Sequence, residues 1–122
     1  MKKILFIEDE SALQKSLGDV LRKKGYEVFS ALDGEIGLRL AKTKSPDLIL
    51  LDLILPRKDG FEVFEELKKD PNLADIAVIV LTNLERMEDV ERALNLGAKT
   101  YLVKANYNLS EVVEKIEKVL EK

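Results

Sequence analysis

The stretch DLILLDLILP, residues 47–56, decides the fold class, because one aspartate interrupts one of the most apolar runs in the chain. A carboxylate left unpaired in an apolar interior costs several kcal/mol or gives up its charge. Asp52 must therefore leave the core at a strand end or meet compensating groups. The residues before it are continuously apolar, which is typical of a short strand that is buried on both faces.

Similar short apolar runs recur along the chain and are separated by longer segments with helical spacing. The predicted strands are residues 3–7, 26–31, 47–51, 76–81 and 100–103. The clearest helix lies near the C-terminus, where Leu109, Val113 and Ile116 fall on one apolar stripe. Strands that alternate with single helices predict parallel strands joined by right-handed crossovers. The sequence therefore predicts a doubly wound α/β fold with a five-stranded parallel sheet.

Composition excludes several classes of function. The chain has 122 residues, and we predict one domain over residues 1–122 with no independent output domain. Its formal net charge of -3, without a basic block, argues against nucleic acid as a main ligand. With no cysteine and no histidine, the chain cannot use disulfides, thiolate catalysis, imidazole base chemistry or a phosphohistidine of its own.

The N-terminal segment MKKILFIEDE does not read as a signal peptide. Its apolar run is too short for a signal-peptide core and ends in acidic residues. No apolar segment approaches the ~20 residues of a membrane span. We expect a cytoplasmic protein with no membrane partner.

Polar side chains follow four of the five predicted strands, at the point where each strand ends. The first strand leads into Glu8 and Asp9, the third into Asp52, the fourth into Thr82 and the fifth into Lys104. In an open α/β sheet, ligands bind outside the carboxyl ends of the strands, where the strand order reverses. If the order is 2-1-3-4-5, that point lies between the first and third strands, and the acids from both would meet there.

These residue types together predict a metal and phosphoryl site. Three crowded carboxylates would raise one another's pKa unless a cation offset the repulsion, and an all-oxygen cluster suits Mg²⁺. Thr82 could then donate a hydrogen bond to a phosphoryl oxygen, and Lys104 could neutralise its charge. This leaves Asp52 as a carboxylate nucleophile able to form an acyl phosphate.

Each of these residues, taken alone, also has an ordinary explanation. Asp52 could open a loop, Glu8 and Asp9 could be acids of the first helix, Thr82 could be a helix N-cap and Lys104 a solvated surface lysine. Their joint occurrence on four of five strand ends favours a shared site. The ordinary role in turns is predicted for three other aspartates, Asp33, Asp59 and Asp70.

At these positions the sequence resembles the receiver domain of bacterial two-component response regulators, especially the single-domain, chemotaxis-type members. The matching segments are ILFIEDE, PDLILLDLILPRKDGFE, AVIVLTN and GAKTYLVK, and they span essentially the whole chain. The resemblance implies a flavodoxin-like (βα)5 fold with strand order 2-1-3-4-5.

The resemblance also implies a role for each strand-end acid. Asp52 corresponds to the phosphoacceptor, and Glu8 and Asp9 correspond to the acidic pair that serves Mg²⁺ together with Asp52. Ile54, two residues after Asp52, would supply a backbone carbonyl to the metal.

The remaining family positions carry the switch. Thr82 corresponds to the switch hydroxyl and Lys104 to the phosphate-contacting lysine. Tyr101 falls at the family's aromatic switch position, whose ring swings inward as the threonine moves toward the phosphoryl group. The alternative for Tyr101 is a half-buried strand tyrosine with no switching role.

Two residues depart from the family pattern. Ala105 follows Lys104 where the family usually has a proline, often with a cis bond. A cis bond to alanine would cost about 3–4 kcal/mol, so we predict either a trans bond with a shifted loop or a strained bond held by its surroundings. Asn83 replaces a usually small residue after Thr82, and could change the rates of phosphorylation and hydrolysis by narrowing access or contacting the phosphoryl group.

The resemblance implies a phosphorylation-dependent signalling switch, a phosphoacceptor with at most slow self-dephosphorylation rather than an enzyme. The donor would be a histidine kinase, a phosphotransfer protein or a small acyl phosphate. A downstream protein would read the face made by the fourth helix, fifth strand and fifth helix, and the chain would be a monomer or a phosphorylation-dependent dimer. The candidate residues of that face are Met87, Glu91, Asn95, Tyr101 and Tyr107.

Two other functions are kept as alternatives. The chain could be a constitutive interaction module, a degenerate or engineered receiver that is not phosphorylated, as Asn83 and Ala105 would allow. It could also be a flavin-binding electron carrier on the same fold. The flavin alternative is disfavoured because the loop EDESAL is acidic and lacks a glycine- or threonine-rich phosphate cradle.

Overall fold

The computed structural model describes residues 1–121 as five parallel strands that alternate with five α-helices. The strands are β1 (Lys3–Ile7), β2 (Glu27–Ala31), β3 (Leu48–Leu51), β4 (Ala77–Thr82) and β5 (Thr100–Val103). The helices are α1 (Ser11–Lys23), α2 (Gly34–Lys44), α3 (Gly60–Lys69), α4 (Met87–Asn95) and α5 (Leu109–Leu120). A single 3₁₀ turn over Lys104–Asn106 leads from β5 toward α5.

The strand order is β2-β1-β3-β4-β5, which confirms the predicted doubly wound, flavodoxin-like sheet. Ile7 pairs with Leu51, so β1 and β3 end at the same level. The backbone N–H of Asp52 also donates to the carbonyl of Ile7 at 3.0 Å. The order therefore reverses between β1 and β3, where the register places Glu8 beside Asp52.

The sheet separates two hydrophobic cores because successive strand residues point to opposite faces. In β1, Leu5 and Ile7 pack against α2 and α3, whereas Ile4 and Phe6 pack against α1 and α5. Both faces of β1 and β3 are covered, which explains why their sequences are continuously apolar. Within residues 1–121, no helix is both long enough and apolar enough to span a membrane.

The three aspartates predicted for turns all lie at helix ends. Asp33 is the N-cap of α2 and accepts a hydrogen bond of 2.8 Å from the backbone of Ile36. Asp59 is the N-cap of α3 in a reciprocal capping box. Asp70 follows the end of α3 and accepts from the backbone N–H of Asn72 at 2.9 Å. These local bonds account for all three residues without a role in the acidic site.

Candidate functional site

Three carboxylates meet at the carboxyl edge of the sheet, between β1 and β3. Glu8, Asp9 and Asp52 each offer a carboxylate oxygen, and these oxygens lie within 4.8 Å of one another. Glu8 is fully buried and Asp52 is 4% exposed, whereas Asp9 is open to solvent. Because α1 begins at Ser11, Glu8 and Asp9 precede the helix and are not acids of its first turn.

Lys104 joins the two buried acids. Its Nζ lies 2.8 Å from Oε1 of Glu8 and 3.0 Å from Oδ2 of Asp52, and its side chain is 14% exposed. Burial lowers the pKa of Lys104, but the contacts with both carboxylates outweigh it, so the pKa lies above its usual value. Lys104 is therefore a protonated, half-buried cation of the site and not a solvated surface lysine.

Glu8 is a member of the cluster whose ionised form is disfavoured by its surroundings. Burial raises its pKa to about 7, the charge of Asp52 adds to this rise, and Lys104 and the backbone N–H of Glu10 oppose it. Glu10 donates to Oε2 at 3.1 Å, but Oε1 has no well-directed hydrogen bond among residues 1–121. The 2.8 Å contact of Oε1 with Lys104 is thus a close ion pair whose angles do not fit a hydrogen bond.

The residues present fit a divalent cation. The three clustered carboxylates have one ammonium group beside them, Lys104, which also lies 3.6 Å from a carboxylate oxygen of Glu10. A buried carboxylate oxygen of Glu8 is left without a directed partner. Oxygen ligands from a few carboxylates are what Mg²⁺ takes in proteins, with water in the remaining positions. A bound cation would offset the repulsion that raises the pKa of Glu8.

Both oxygens of Asp52 have a partner. Oδ2 accepts from Lys104, and Oδ1 accepts from the backbone N–H of Ile54 at 3.1 Å. Asp52 thus does open the loop after β3, as its ordinary explanation holds, and it also belongs to the acidic cluster. Ile54 is 53% exposed, and the metal-binding role of its backbone carbonyl stays a prediction.

Thr82 and Tyr101 meet at the backbone of Leu84. Thr82 is fully buried at the end of β4, and its Oγ1 accepts a long hydrogen bond of 3.5 Å from the N–H of Leu84. The Tyr101 hydroxyl donates to the carbonyl of Leu84 at 2.9 Å. Burial, with the charges of Asp89 and Asp52, raises the pKa of Tyr101 to about 12.

Thr82 is not the N-cap of α4, because α4 begins at Met87 and Arg86 holds the capping position. Asn83, which follows Thr82, is exposed at the same edge of the sheet. The Lys104–Ala105 bond is trans, and the chain coils there into the 3₁₀ turn. Of the two alternatives predicted for this bond, the trans form is the one found.

The candidate residues for partner contact lie on two faces of the molecule. Met87 is 70% exposed on α4, and Glu91 and Asn95 are exposed on the same helix. Tyr101 packs at the edge of the core under α2 and α3, whereas Tyr107 packs at the edge of the core under α1 and α5. The structure thus groups the three α4 residues, and places Tyr107 on the other side of the sheet.

Sequence reasoning missed Gln14 in α1. This glutamine is buried, and its Nε2 reaches the backbone carbonyls of Phe6, Glu8 and Ala31 at the ends of β1 and β2. Its sequence signal was a polar residue on the apolar stripe of α1, three positions before Leu17.

A five-stranded parallel sheet, with a carboxylate cluster where the strand order reverses and a lysine directly after the last strand, is the arrangement expected of a receiver domain. The sequence matches the response regulator receiver domain family over residues 4–117, and the chain belongs to that family.

The curated relatives are transcriptional regulators. The chain is 38% identical over 120 residues to the DNA-binding dual master transcriptional regulator RpaA of Synechocystis sp., covering 98% of this chain and 49% of that protein. It is 36% identical to the alkaline phosphatase synthesis transcriptional regulatory protein PhoP of Bacillus subtilis, over 98% of this chain and 48% of that protein. The chain spans about half the length of these relatives.

Solved structures match over almost the whole chain. A CheY-like receiver domain protein from Methanospirillum hungatei superposes with a TM-score of 0.91 at 30% identity, covering 99% of this chain and 94% of that one. The Mn²⁺-bound form of the response regulator Rcp1 has a TM-score of 0.83 at 33% identity, covering 98% and 91%.

Proposed function

We propose that this chain is a phosphorylation-dependent switch of a two-component system, with Asp52 as its phosphoacceptor. The observation that carries the proposal is the convergence of Glu8, Asp9 and Asp52 within 4.8 Å, with Lys104 in contact with two of them. An exposed aspartate at a turn would have neither neighbouring acids nor a half-buried lysine. The fold also supports the proposal, because the site lies where the strand order reverses, and open α/β sheets bind ligands at that point.

The donor in this proposal is a separate phosphohistidine protein, either a histidine kinase or a phosphotransfer protein, or a small acyl phosphate. A carboxylate oxygen of Asp52 attacks phosphorus, and the new O–P bond forms as the bond from phosphorus to the donor atom breaks. The leaving imidazole nitrogen or acyl oxygen keeps the electron pair of the broken bond. The absence of histidine in this chain fits a donor on another molecule.

Glu8, Asp9, Asp52 and the backbone carbonyl of Ile54 are the proposed ligands of Mg²⁺. A bound Mg²⁺ would supply positive charge that offsets these acids and the charge of an anionic phosphoryl donor. Lys104, which already contacts Asp52 at 3.0 Å, would compensate part of the negative charge of about -1.5 to -2 that a phosphoryl group adds.

The proposed response passes through Leu84. If the Thr82 side chain moves so that its hydroxyl donates to the phosphoryl group, the displacement of Oγ1 breaks its long 3.5 Å bond from the N–H of Leu84. Tyr101 holds the carbonyl of the same residue at 2.9 Å, so the ring and the loop before α4 respond together. A ligand or modification can shift such an equilibrium only through unequal contacts in the two states, and the phosphoryl group supplies them.

The proposed readout is a protein partner at the surface of α4, β5 and α5, where Met87, Glu91 and Asn95 are exposed. We further propose a cytoplasmic phosphoacceptor with at most slow self-dephosphorylation, which acts stoichiometrically and not as an enzyme. Asn83, exposed beside Thr82, is the residue in this proposal that adjusts the lifetime of the phosphoryl group.

Intact mass spectrometry after incubation with acetyl phosphate and Mg²⁺ tests the proposal. We expect a single adduct with the mass of one phosphoryl group, present in the wild type and absent from Asp52→Asn. Asp75→Asn is the matched control, because Asp75 is an exposed aspartate outside the acidic cluster. Omitting the metal should strongly reduce the adduct.

The outcomes separate the alternatives. An adduct that survives Asp52→Asn would place the acceptor elsewhere. A folded protein that gives no adduct and binds no Mg²⁺ would contradict the switch and favour a constitutive interaction module.

A further inference from the structure

One buried amide connects α1 to the edge of the sheet that carries the acids. Gln14 is 6% exposed, and its Nε2 lies 2.8 Å from the carbonyl of Phe6, 3.1 Å from that of Ala31 and 3.2 Å from that of Glu8. These carbonyls belong to the carboxyl ends of β1 and β2. A single side chain thus contacts the carboxyl ends of both strands, including the backbone of the buried acid Glu8.

The orientation of this amide follows from its neighbours. Three carbonyl oxygens surround Nε2, and an amide oxygen in its place would face three acceptors without a proton between them. At the other end of the amide, Oε1 is buried and has no hydrogen-bond partner among residues 1–121. A buried acceptor without a partner is unfavourable, so the stabilising contacts of Gln14 come from its Nε2 end.

The contact with Glu8 has a direct consequence for the acidic site. The carbonyl of Glu8 is part of the planar peptide group that joins Glu8 to Asp9. The N–H of Glu8 donates to the carbonyl of Ala31 at 2.9 Å, so the backbone of Glu8 is held on both sides. Fixing that peptide plane fixes the direction in which the chain continues to Asp9.

We propose that Gln14 is a positioning residue of the acidic site, which holds the Glu8–Asp9 peptide so that both carboxylates converge with Asp52 on a divalent cation. This inference rests on the proposed function, because it requires the three acids to bind Mg²⁺. Gln14 does not touch the cation itself. Groups that orient metal ligands in this way typically change metal affinity about 10–100-fold when they are removed.

Calorimetric titration of Mg²⁺ into the full chain tests the proposal. Gln14→Met keeps the length and burial of the side chain but removes its N–H donors, and we expect it to raise the Kd for Mg²⁺ about 10–100-fold. Leu21→Ala is the control for general loosening, because Leu21 is fully buried near the far end of α1.

The control separates positioning from stability. Urea unfolding of each variant gives its free energy of unfolding, and Leu21→Ala should lose stability while its Kd stays within about twofold of the wild type, since distant sites act independently. A folded Gln14→Met protein with the wild-type Kd would overturn the proposal. Equal weakening by Leu21→Ala would overturn it too, because the effect would then be general.

An NMR measurement on the wild type tests the positioning role of Gln14 if Gln14→Met does not fold. The side-chain amide protons of Gln14 should exchange slowly with solvent, and their NMR resonances should shift with the same Kd as the calorimetric titration. Resonances that Mg²⁺ leaves unmoved would overturn the positioning role. A wild type that binds no Mg²⁺ would overturn the proposed function and this role with it, whereas binding lost in Asp52→Asn but intact in Gln14→Met would overturn only the role of Gln14.

Discussion

The segments that follow β3 and β4 contain the same elements, but they differ in how many of their residues are buried and in how their helices are capped. Each is a loop and a helix on the same face of the sheet. Within the described chain, α4 buries one residue, Ala93, and its first turn has no side-chain cap. α3 begins with the capping box of Asp59, and five of its residues are buried: Gly60, Phe61, Val63, Phe64 and Leu67.

The loop after β3 also packs tightly against the start of α3. The N–H of Gly60 donates to the carbonyl of Leu53 at 3.1 Å, and a Cβ atom at Gly60 would collide with the backbone of Leu53. This packing fixes the chain directly after Asp52. The loop after β4 is held instead by the two hydrogen bonds of Leu84.

The difference divides the proposed switch into a fixed part and a movable part. A nucleophile must be held in place to react, and Asp52 lies on the segment with more buried surface. Regions with few buried apolar contacts open or shift at lower free-energy cost, and α4 is such a region. The contrast is between α3, which has many buried residues and a capped N-terminus, and α4, which has few buried residues and no side-chain cap. Each prediction below tests this contrast by changing one of the two segments.

The largest effect is expected from the core of α3. Phe64→Ala removes a fully buried ring and should lower the free energy of unfolding by about 3–5 kcal/mol. Leu94→Ala on α4, where the side chain is 49% exposed, should change it by less than about 0.5 kcal/mol. Urea denaturation followed by circular dichroism measures both. Similar losses for the two variants would contradict the contrast between the helices.

The acidic cluster should make stability depend on pH. The pKa of Glu8 is raised from 4.5 to about 7, chiefly by burial, so the folded protein binds more protons than the unfolded chain between these pH values. This contribution to stability is fully present below about pH 4.5 and is lost as the pH rises through about 7, with a slope of at most about 1.4 kcal/mol per pH unit.

Glu8→Gln should flatten that slope in metal-free urea titrations between pH 5 and about 7.5. The control is Glu27→Gln, an exposed residue on β2, which should leave the slope unchanged. Adding Mg²⁺ to the wild type should restore stability at the higher pH, because the cation offsets the ionised acids. An unchanged slope in Glu8→Gln would show that other groups carry the pH dependence.

The helix caps offer a smaller test. Asp59→Ala removes the capping box of α3 and should cost about 1 kcal/mol of unfolding free energy. Arg86→Ala, at the corresponding position of α4, removes ion pairs of a 70% exposed arginine with Glu88 and Asp89 at 3.3 and 3.8 Å, and should cost less than about 0.5 kcal/mol. Thermal or urea unfolding compares the two, and a larger loss from Arg86→Ala would reverse the assignment of the anchored helix.

A small global effect with a local signature is expected where α4 contacts α3. Arg92 places Nη2 2.8 Å from Oε2 of Glu65 and its guanidinium 4.1 Å from the ring centre of Phe61. Arg92→Ala should cost at most about 1 kcal/mol overall, because half of the side chain is exposed. Its main effect should be faster amide hydrogen exchange in α4, with α3 unchanged.

Glu91→Ala serves as the control on the same helix, because Glu91 is exposed and takes part in neither contact. Equal acceleration of exchange in α3 and α4 by Arg92→Ala would mean that the two helices move as one unit.

The fold was predictable to within a residue or two at the strands. β1 and β5 occupy the predicted residues, and β3 begins one residue later than predicted. β4 runs over Ala77–Thr82, one residue later at each end than the predicted 76–81. At the C-terminal end the shift arises because Thr82 pairs with Val103 in the ladder, and backbone pairing of this kind leaves no mark on the apolar pattern.

The sequence by itself determined the alternation of strands and helices, and which polar residues lie at the carboxyl ends of four of the five strands. Those features are local, because the apolar period and the residue that ends it are read from a few neighbouring positions. Tertiary structure alone decided that Lys104 lies between Glu8 and Asp52, and that Gln14 turns its amide toward the strand ends. Such contacts depend on how a helix or strand packs on its neighbours across the sheet, and sequence periodicity specifies the buried face without specifying which atoms meet there.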